Sequence, residues 1–204
     1  MKKAFILLLL VATNISFISC KSDKTTAKTT QKEDIAKFSV NKAEKEINFT
    51  AYKFTEKTPV GGQFRQVDVI SGGTGETIKE AINNTEFSIP VSSIFTKDSS
   101  RDYKIQKFFF GVMSDTKLLS GKLNIENDSI GSATIKMNGV SNKVPFKYTI
   151  VNNTFAMSGK MDVSNWNALD ALASLNKVCE ALHTGSDGVS KTWSEVALNI
   201  TTKF

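Results

Sequence analysis

Apolar and polar residues alternate along most of the chain from about residue 38 onwards. In 119–125, leucine, glycine and isoleucine hold the odd positions while lysine and asparagine stand at 122 and 124. Alternation with a period of two is typical of antiparallel strands that pack one face on a core and expose the other to water. Eight such runs are present, at 47–51, 67–69, 87–91, 119–125, 133–137, 144–150, 155–161 and 196–200.

Short turn sequences separate these runs. Asn138-Gly139 and Asn152-Asn153 are typical of tight hairpins, and the stretch 59–62, with a proline and two glycines, is interpreted as a turn. Eight strands predict an all-β domain, either a sandwich or a closed barrel, and the periodicity alone leaves both open. Closure into a barrel would remove the exposed strand edges.

One stretch departs from the period of two. Between Trp166 and Leu182 the apolar residues recur at intervals of three and four, which predicts one amphipathic helix inserted in the β-domain. Asn165 is expected to cap its start and Gly185 to end it. A weaker helical pattern covers 76–82. The predicted apolar face of the long helix consists of Trp166, Leu169, Leu172, Ala173, Leu175, Val178, Cys179 and Leu182.

The first twenty residues have a different character. Lys2 and Lys3 precede an apolar run over 4–12, and the hydrophobicity is diluted before Cys20. Such a run is typical of a secretory signal and is too short to span a bilayer as a helix. Residues 17–20, Phe-Ile-Ser-Cys, resemble a bacterial lipobox with phenylalanine in place of the usual leucine. We therefore expect residues 1–19 to be removed and Cys20 to carry a lipid anchor.

Residues 20–37 connect the predicted anchor to the β-domain. They are rich in lysine and threonine, a composition that predicts a flexible tether. The net charge of +6 comes mostly from the leader and this tether. The sequence has no basic stripe interleaved with stacking aromatic residues, so nucleic-acid binding is not predicted. We expect an exported protein that is lipid-anchored to a bacterial membrane and faces the periplasm or the cell surface.

Motifs in the β-domain resemble those of the YceI-like family. Ser93-Ile94-Phe95-Thr96, Arg101-Asp102 and Phe109-Phe110 follow one another in the family's order. The hairpin sequence 135–146, with its Gly-Val pair and following lysine, is similar to a hairpin of the family. The resemblance extends from about residue 47 to the C-terminus.

The chain departs from the family pattern at two points. Lys104 stands where the family has a histidine, and 114–116 replaces a tyrosine–proline turn. The resemblance implies an eight-stranded antiparallel lipocalin-like β-barrel over residues 38–204, with an elongated apolar tunnel. It also implies a ligand, because relatives bind polyisoprenoid chains such as quinones or prenyl phosphates in the periplasm.

An isoprenoid tail offers only apolar surface, and each buried CH₂ group contributes about 0.8 kcal/mol to binding. Its site therefore requires inward-facing apolar side chains. The alternative is that the same side chains fill the barrel as a packed core. The candidate ligand-binding residues are Phe87, Ile89, Phe109, Phe110, Phe146, Tyr148, Phe155 and Met157.

Few residues support a catalytic interpretation. His183 is the only histidine, and the sequence has no Gly-x-Ser-x-Gly motif for a hydrolase. Cys179 falls on the apolar face of the predicted helix and is expected to be a buried, unreactive thiol. The glycine-rich stretch 72–79 lacks the Gly-Lys-Ser/Thr ending of a phosphate-binding loop. No catalytic residue, metal ion or cofactor is predicted.

Two functions remain open at this point. The first is a membrane-anchored lipoprotein whose barrel binds or sequesters a long apolar lipid, an isoprenoid, in its tunnel. The second is a non-enzymatic interaction module with a filled core, whose outer face or helix 166–182 contacts a partner. A continuous apolar cavity would favour the first function and a filled core the second.

Overall fold

The computed structural model describes residues 36–204. These residues form one compact unit, and every strand pair and core contact described below lies within it. The predicted signal peptide, Cys20 and most of the predicted tether lie outside the described residues. No helix in this part of the chain combines the length and the apolar character needed to cross a bilayer.

Twelve strands form the framework of the described domain. β1 and β5 form a separate pair, and the other ten form one antiparallel sheet in the order β4-β6-β8-β9-β10-β11-β12-β2-β3-β7. The strands are β1 (Phe38–Ser39), β2 (Glu44–Lys53), β3 (Thr58–Phe64), β4 (Asp68–Ser71), β5 (Thr74–Gly75), β6 (Glu86–Pro90), β7 (Ile94–Phe95), β8 (Leu118–Ile125), β9 (Ile130–Met137), β10 (Val140–Val151), β11 (Thr154–Asp162) and β12 (Glu195–Lys203).

The helices lie between strands, and most of them follow β7 or β11. Four are α-helical: α1 (Ile78–Ile82), α2 (Ser99–Lys104), α3 (Leu169–Val178) and α4 (Glu180–His183). α2 continues into a π-helical turn, Ile105–Phe109, and then a 3₁₀ turn, Phe110–Val112; further 3₁₀ turns are Val91–Ser93 and Val163–Trp166.

The ten-stranded sheet curls so that its two edges meet at one end. β6 lies beside the edge strand β4, and only the 3₁₀ turn Val91–Ser93 separates it from β7, which forms the opposite edge. Across this junction the Arg65 N–H donates to the Ser93 carbonyl at 2.9 Å. We call this end, where 99–112 and 163–183 also lie, the helical end. The opposite end contains α1 and is called the α1 end.

The sheet has ten strands rather than the predicted eight. Residues 59–62 were expected to form a turn because Pro59, Gly61 and Gly62 lie close together, yet they lie inside β3. β7 pairs only with Gln63 and Phe64, so the rest of β3 is an edge on that side. Proline and glycine are tolerated at such an edge. The all-β, antiparallel and barrel-like character of the prediction is confirmed.

The predicted single helix over Trp166–Leu182 was wrong in its extent. Asn167 has a positive φ of 54° and separates the 3₁₀ turn from α3. Asn165 does not cap the start; instead the Asp162 carboxylate accepts from the Ser164 N–H at 2.9 Å. α4 ends at His183, before the predicted stop at Gly185.

The predicted apolar face of that helix is only partly buried. Trp166 and Cys179 are buried, whereas Leu169 and Leu182 are exposed over more than half their surface. Because the helix is interrupted twice, its apolar residues do not share one continuous face. The shorter prediction over 76–82 corresponds to α1, which begins with a capping box between Thr77 and Glu80.

Two apolar clusters hold the domain together. The cluster at the helical end is centred on Trp166, whose indole N–H donates to the Ile135 carbonyl at 2.9 Å. The cluster at the α1 end contains Ile82 together with Phe146 and Phe155. The space between these two clusters is where the candidate site lies.

Candidate functional site

The interior of the curled sheet contains a cavity of about 230 Å³. Within residues 36–204, thirty-three residues line it, and 28 of them are aliphatic or aromatic. The five polar residues are Lys45, Asn48, Thr85, Thr192 and Thr202. A lining of this composition offers dispersion contacts and apolar burial along almost its whole surface, and few hydrogen-bonding groups.

Inward-facing side chains in the middle of the sheet are only half-buried. On the hydrogen-bonded strands β2 and β12, Ile47 lies opposite Ile200 and Phe49 opposite Leu198, and all four side chains line the cavity. At the packing density of a protein core such residues would be enclosed. The interior is therefore unfilled along this wall, which argues against a filled core.

The cavity extends along most of the barrel. On β2 its lining runs from Lys45 to Ala51, six residue steps that span about 20 Å at about 3.3 Å per residue. Ile82 lines it at the α1 end, and Ile105 and Trp193 line it at the helical end. An extended chain fits this shape better than a compact ligand does.

Five of the eight candidate ligand-binding residues line the cavity: Phe87, Ile89, Phe109, Phe110 and Met157. The first two belong to β6 and Met157 to β11. Phe109 and Phe110 reach the cavity from helical turns. Their ring centroids are 5.0 Å apart, and both residues belong to the cluster at the helical end. Contact of these five residues with a ligand stays a prediction.

The other three candidates, Phe146, Tyr148 and Phe155, do not line the cavity. They face inward, as the alternation predicted, but they pack against one another at the α1 end. The Tyr148 and Phe155 rings stack with centroids 5.1 Å apart, and the Tyr148 hydroxyl donates to the Asn127 carbonyl at 2.6 Å. Ile82 from α1 completes the cluster, so these rings belong to the core rather than to the tunnel wall.

Several lining residues were not among the candidates. Phe49 and Leu198 alternate in the same way as the residues that were named, so the pattern could have included them. Phe64 was missed because the turn predicted at 59–62 concealed the strand that contains it, and Ile105 because it lies outside every predicted strand and helix. Trp193 lies outside every predicted strand and helix, and no pattern in the sequence pointed to it as a cavity residue.

Among the described residues that line the cavity, Lys45 alone carries a charge. Its Nζ donates to the carbonyls of Val40 and Ala43 at 2.8 and 3.0 Å, and more weakly to that of Asn41 at 3.4 Å. Burial lowers the pKa of its ammonium group below the ordinary value of 10.5. Because these carbonyls occupy its donors, Lys45 holds the segment before β2 in place.

A chain of hydrogen bonds fixes His183 beside the helical end of the cavity. The Thr192 hydroxyl donates to Asn176 Oδ1 at 2.7 Å, so its oxygen is left to accept the Nδ1–H of His183, also at 2.7 Å. Burial lowers the pKa of His183, and the positive charges of Lys53, Arg101 and Lys104 lower it further. The neutral imidazole is therefore favoured.

Cys179, Arg101 and Asp102 make contacts that stabilise the fold. Cys179 is buried, and burial raises the pKa of its thiol, which favours the unreactive form. Asp102 accepts from the N–H and hydroxyl of Thr96 at 2.8 and 2.6 Å, and Arg101 pairs with Asp98 at 3.6 Å. These contacts fix the loop before α2. Across residues 36–204, no group of three or more histidine, cysteine or carboxylate side chains is placed to hold a metal ion.

A sequence model of the YceI-like domain matches residues 38–204. The chain belongs to the YceI-like family. The match covers all twelve strands and every residue that lines the cavity. No curated protein is similar enough in sequence to match.

Two solved structures share the YceI-like fold of this chain. One is described as a polyisoprenoid binding domain from Saccharophagus degradans implicated in plant cell wall breakdown; it aligns with a TM-score of 0.56 and 11% identity, over 78% of this chain and 91% of that one. The other is BcnA from Burkholderia cenocepacia, with a TM-score of 0.51 and 12% identity over 81% and 98% of the respective chains. At these identities the likeness concerns the fold.

Proposed function

We propose that this YceI-like protein binds one long apolar lipid, an isoprenoid chain, along the axis of its barrel, without carrying out a chemical step on it. The observation that carries the proposal is the unfilled cavity, lined by apolar residues from Ile82 at one end to Ile105 at the other. The Saccharophagus degradans domain of the same fold is described as polyisoprenoid-binding, which supports the same ligand class here.

The size of the hydrophobic effect is sufficient for this function. A tail with about fifteen buried carbon atoms gains about 12 kcal/mol at about 0.8 kcal/mol each. Association costs roughly 4–15 kcal/mol in lost translational and rotational freedom. Three or more isoprene units therefore offset most of this cost, and short apolar molecules do not. A quinone or a prenyl phosphate provides such a tail.

The anchor belongs to the same proposal. Cleavage before Cys20 and acylation of its thiol would leave the barrel on a tether at a bacterial membrane, facing the periplasm or the cell surface, where isoprenoid lipids are at hand. The test is metabolic labelling with tagged palmitate of cells that express the wild-type chain or Cys20→Ala. The wild type should incorporate the label and the variant should not; equal labelling would contradict the anchor.

Trp193 provides a direct test of lipid binding. It is one of two tryptophans in the chain and lines the cavity, whereas Trp166 lies in the core. Titration with a short-chain isoprenoid quinone should quench its fluorescence in a saturable way, and a prenyl alcohol of the same tail length should reverse the quenching by competition. Trp193→Phe should lose most of the signal. Quenching that does not saturate, or that the alcohol does not reverse, would contradict the proposal.

A further inference from the structure

The helical segment 99–109 has two contrasting sides. Ile105 and Phe109 line the cavity, whereas Tyr103 is 55% exposed. Lys107 lies on the outer side, where its Nζ donates to the Tyr103 hydroxyl at 2.8 Å and stands 5.3 Å from the centre of the Phe108 ring. A single helical layer therefore separates an outer surface of aromatic and basic residues from the cavity.

Positive charge gathers next to this segment. The Lys53 Nζ donates to the Leu182 carbonyl at 3.0 Å, so the ammonium group of Lys53 lies against α4. Lys53 and Lys104 also lie close enough to His183 to lower its pKa. Within the part of the chain that the structure describes, Lys53, Lys104 and Lys107 have no salt-bridge partner. Their charge is therefore available to an external anion.

Exposed apolar side chains accompany these cations. Ten large apolar residues are exposed among those described, and half of them stand on the helical segments 99–112 and 169–183. Leu182, which is 57% exposed, lies directly beside Lys53. These five residues are Tyr103, Val112, Leu169, Val178 and Leu182.

We propose that this helical surface docks on a lipid bilayer that contains anionic headgroups, and that the lipid ligand passes between bilayer and cavity there. The inference rests on the proposed function, because only a lipid-binding cavity needs such a contact. Basic residues interleaved with exposed aromatic and aliphatic residues are typical of helices that lie in the membrane interface. Lysine is depleted at protein–protein interfaces, so the unpaired lysines favour a membrane over a protein partner.

The test is sedimentation of residues 36–204, which lack the anchor, with vesicles of phosphatidylcholine alone or mixed with an equal part of phosphatidylglycerol. The wild type should bind the anionic vesicles more tightly. The double variant K104E/K107E should lose at least about tenfold in affinity, because each cation near an anionic surface contributes about 1 kcal/mol. The matched control K42E/K147E has the same net charge and changes two exposed lysines away from the helical end, so it should lose less than about threefold.

A second readout separates this inference from the proposed function. K104E/K107E should still show quenching of Trp193 by a short-chain quinone, because neither lysine lines the cavity. Two results would overturn the docking inference and leave lipid binding intact, provided that quenching persists. In the first, the wild type binds anionic vesicles no better than neutral ones. In the second, K104E/K107E and K42E/K147E lose affinity for anionic vesicles equally. If the wild type shows no saturable quenching, the proposed function itself fails.

The apolar half of the surface is tested with the double variant Tyr103→Ser/Leu182→Ser. Loss of vesicle binding in this variant would support a role for the exposed apolar residues, and unchanged binding would overturn it.

Discussion

The Phe87 ring on β6 lies over Gly121 of the neighbouring strand β8. The two residues are cross-strand partners, and a Cβ atom placed on Gly121 would lie 2.7 Å from Cζ of the ring. Phe49 covers Gly62 in the same way, and its ring also lines the cavity. Because glycine leaves room for the ring against the sheet, these phenylalanines can lie along the wall without filling the cavity.

Gly121→Ala should therefore destabilise the domain by about 1–3 kcal/mol, as expected for overpacking of a well-packed site. Besides Phe87, the new methyl group would meet the backbone carbonyl of Thr134, which cannot move without disturbing the sheet. Gly61→Ala is the matched control, because nothing lies within 4 Å of a Cβ at that position; it should change stability by no more than about 0.5 kcal/mol. Denaturant unfolding measures both, and equal effects would show that the Phe87–Gly121 contact is unimportant.

Phe155 and Met157 face inward from the same strand but should differ in role. Phe155 is 1% exposed inside the cluster at the α1 end, so Phe155→Ala should cost about 3–5 kcal/mol of stability. Met157 borders the cavity and is half-buried, so Met157→Ala should cost less than half as much in the lipid-free protein. Met157→Ala should instead weaken quinone binding. Similar stability losses for the two variants would indicate that the interior beside Met157 is filled.

His183 should make stability depend on pH in the mildly acidic range. Its pKa is lowered in the folded protein from an ordinary value of 6.5 by burial and by Lys53, Arg101 and Lys104. The unfolded chain therefore takes up the proton first as the pH falls. The stabilising contribution is complete above the unfolded pKa and is lost as the pH drops through that value towards the lower folded one.

His183→Asn is the variant that tests this dependence. Its amide N–H can still donate to the Thr192 hydroxyl, so the hydrogen bond is kept while the titration is removed. Unfolding free energies measured between about pH 7.5 and 5.5 should fall for the wild type and stay nearly flat for the variant. The carboxylates with lowered pKa, such as Asp162 and Glu195, act at lower pH. Parallel curves for the two proteins would exclude His183 as the source.

The alternation of apolar and polar residues predicted more of the fold than of the candidate site. It predicted eight strands, because burial on one face imposes a period of two. It missed β3, because Pro59 and Gly61 are residues typical of turns. It also identified the inward faces of β10 and β11. The same pattern could not separate Phe146 from Phe87, because both face inward. The position of α1 makes the difference: it packs Ile82 against Phe146 and its neighbouring rings, whereas Phe87 borders the cavity.

The helical end was the least predictable region. Spacing suggested one helix over 166–182, but the left-handed backbone at Asn167 interrupts it, and no local residue pattern specified that break. The segment 105–110 contains three consecutive phenylalanines, which favour a strand by composition, yet it forms helical turns across the barrel end. Tertiary packing against α3 decides its conformation.

Mass spectrometry of the lipid extracted from the domain tests the central claim most directly. Residues 36–204 would be purified without detergent from the native host as wild type, Leu198→Trp and Asn199→Trp. Leu198 lines the cavity and Asn199, the next residue, is exposed on the outer face of β12, so only the first substitution fills the cavity. Wild type and Asn199→Trp should each carry close to one isoprenoid lipid per chain, and Leu198→Trp should carry less than about a tenth of that amount. Wild-type protein without lipid that also fails to take up added isoprenoid, or equal lipid in all three proteins, would contradict the account.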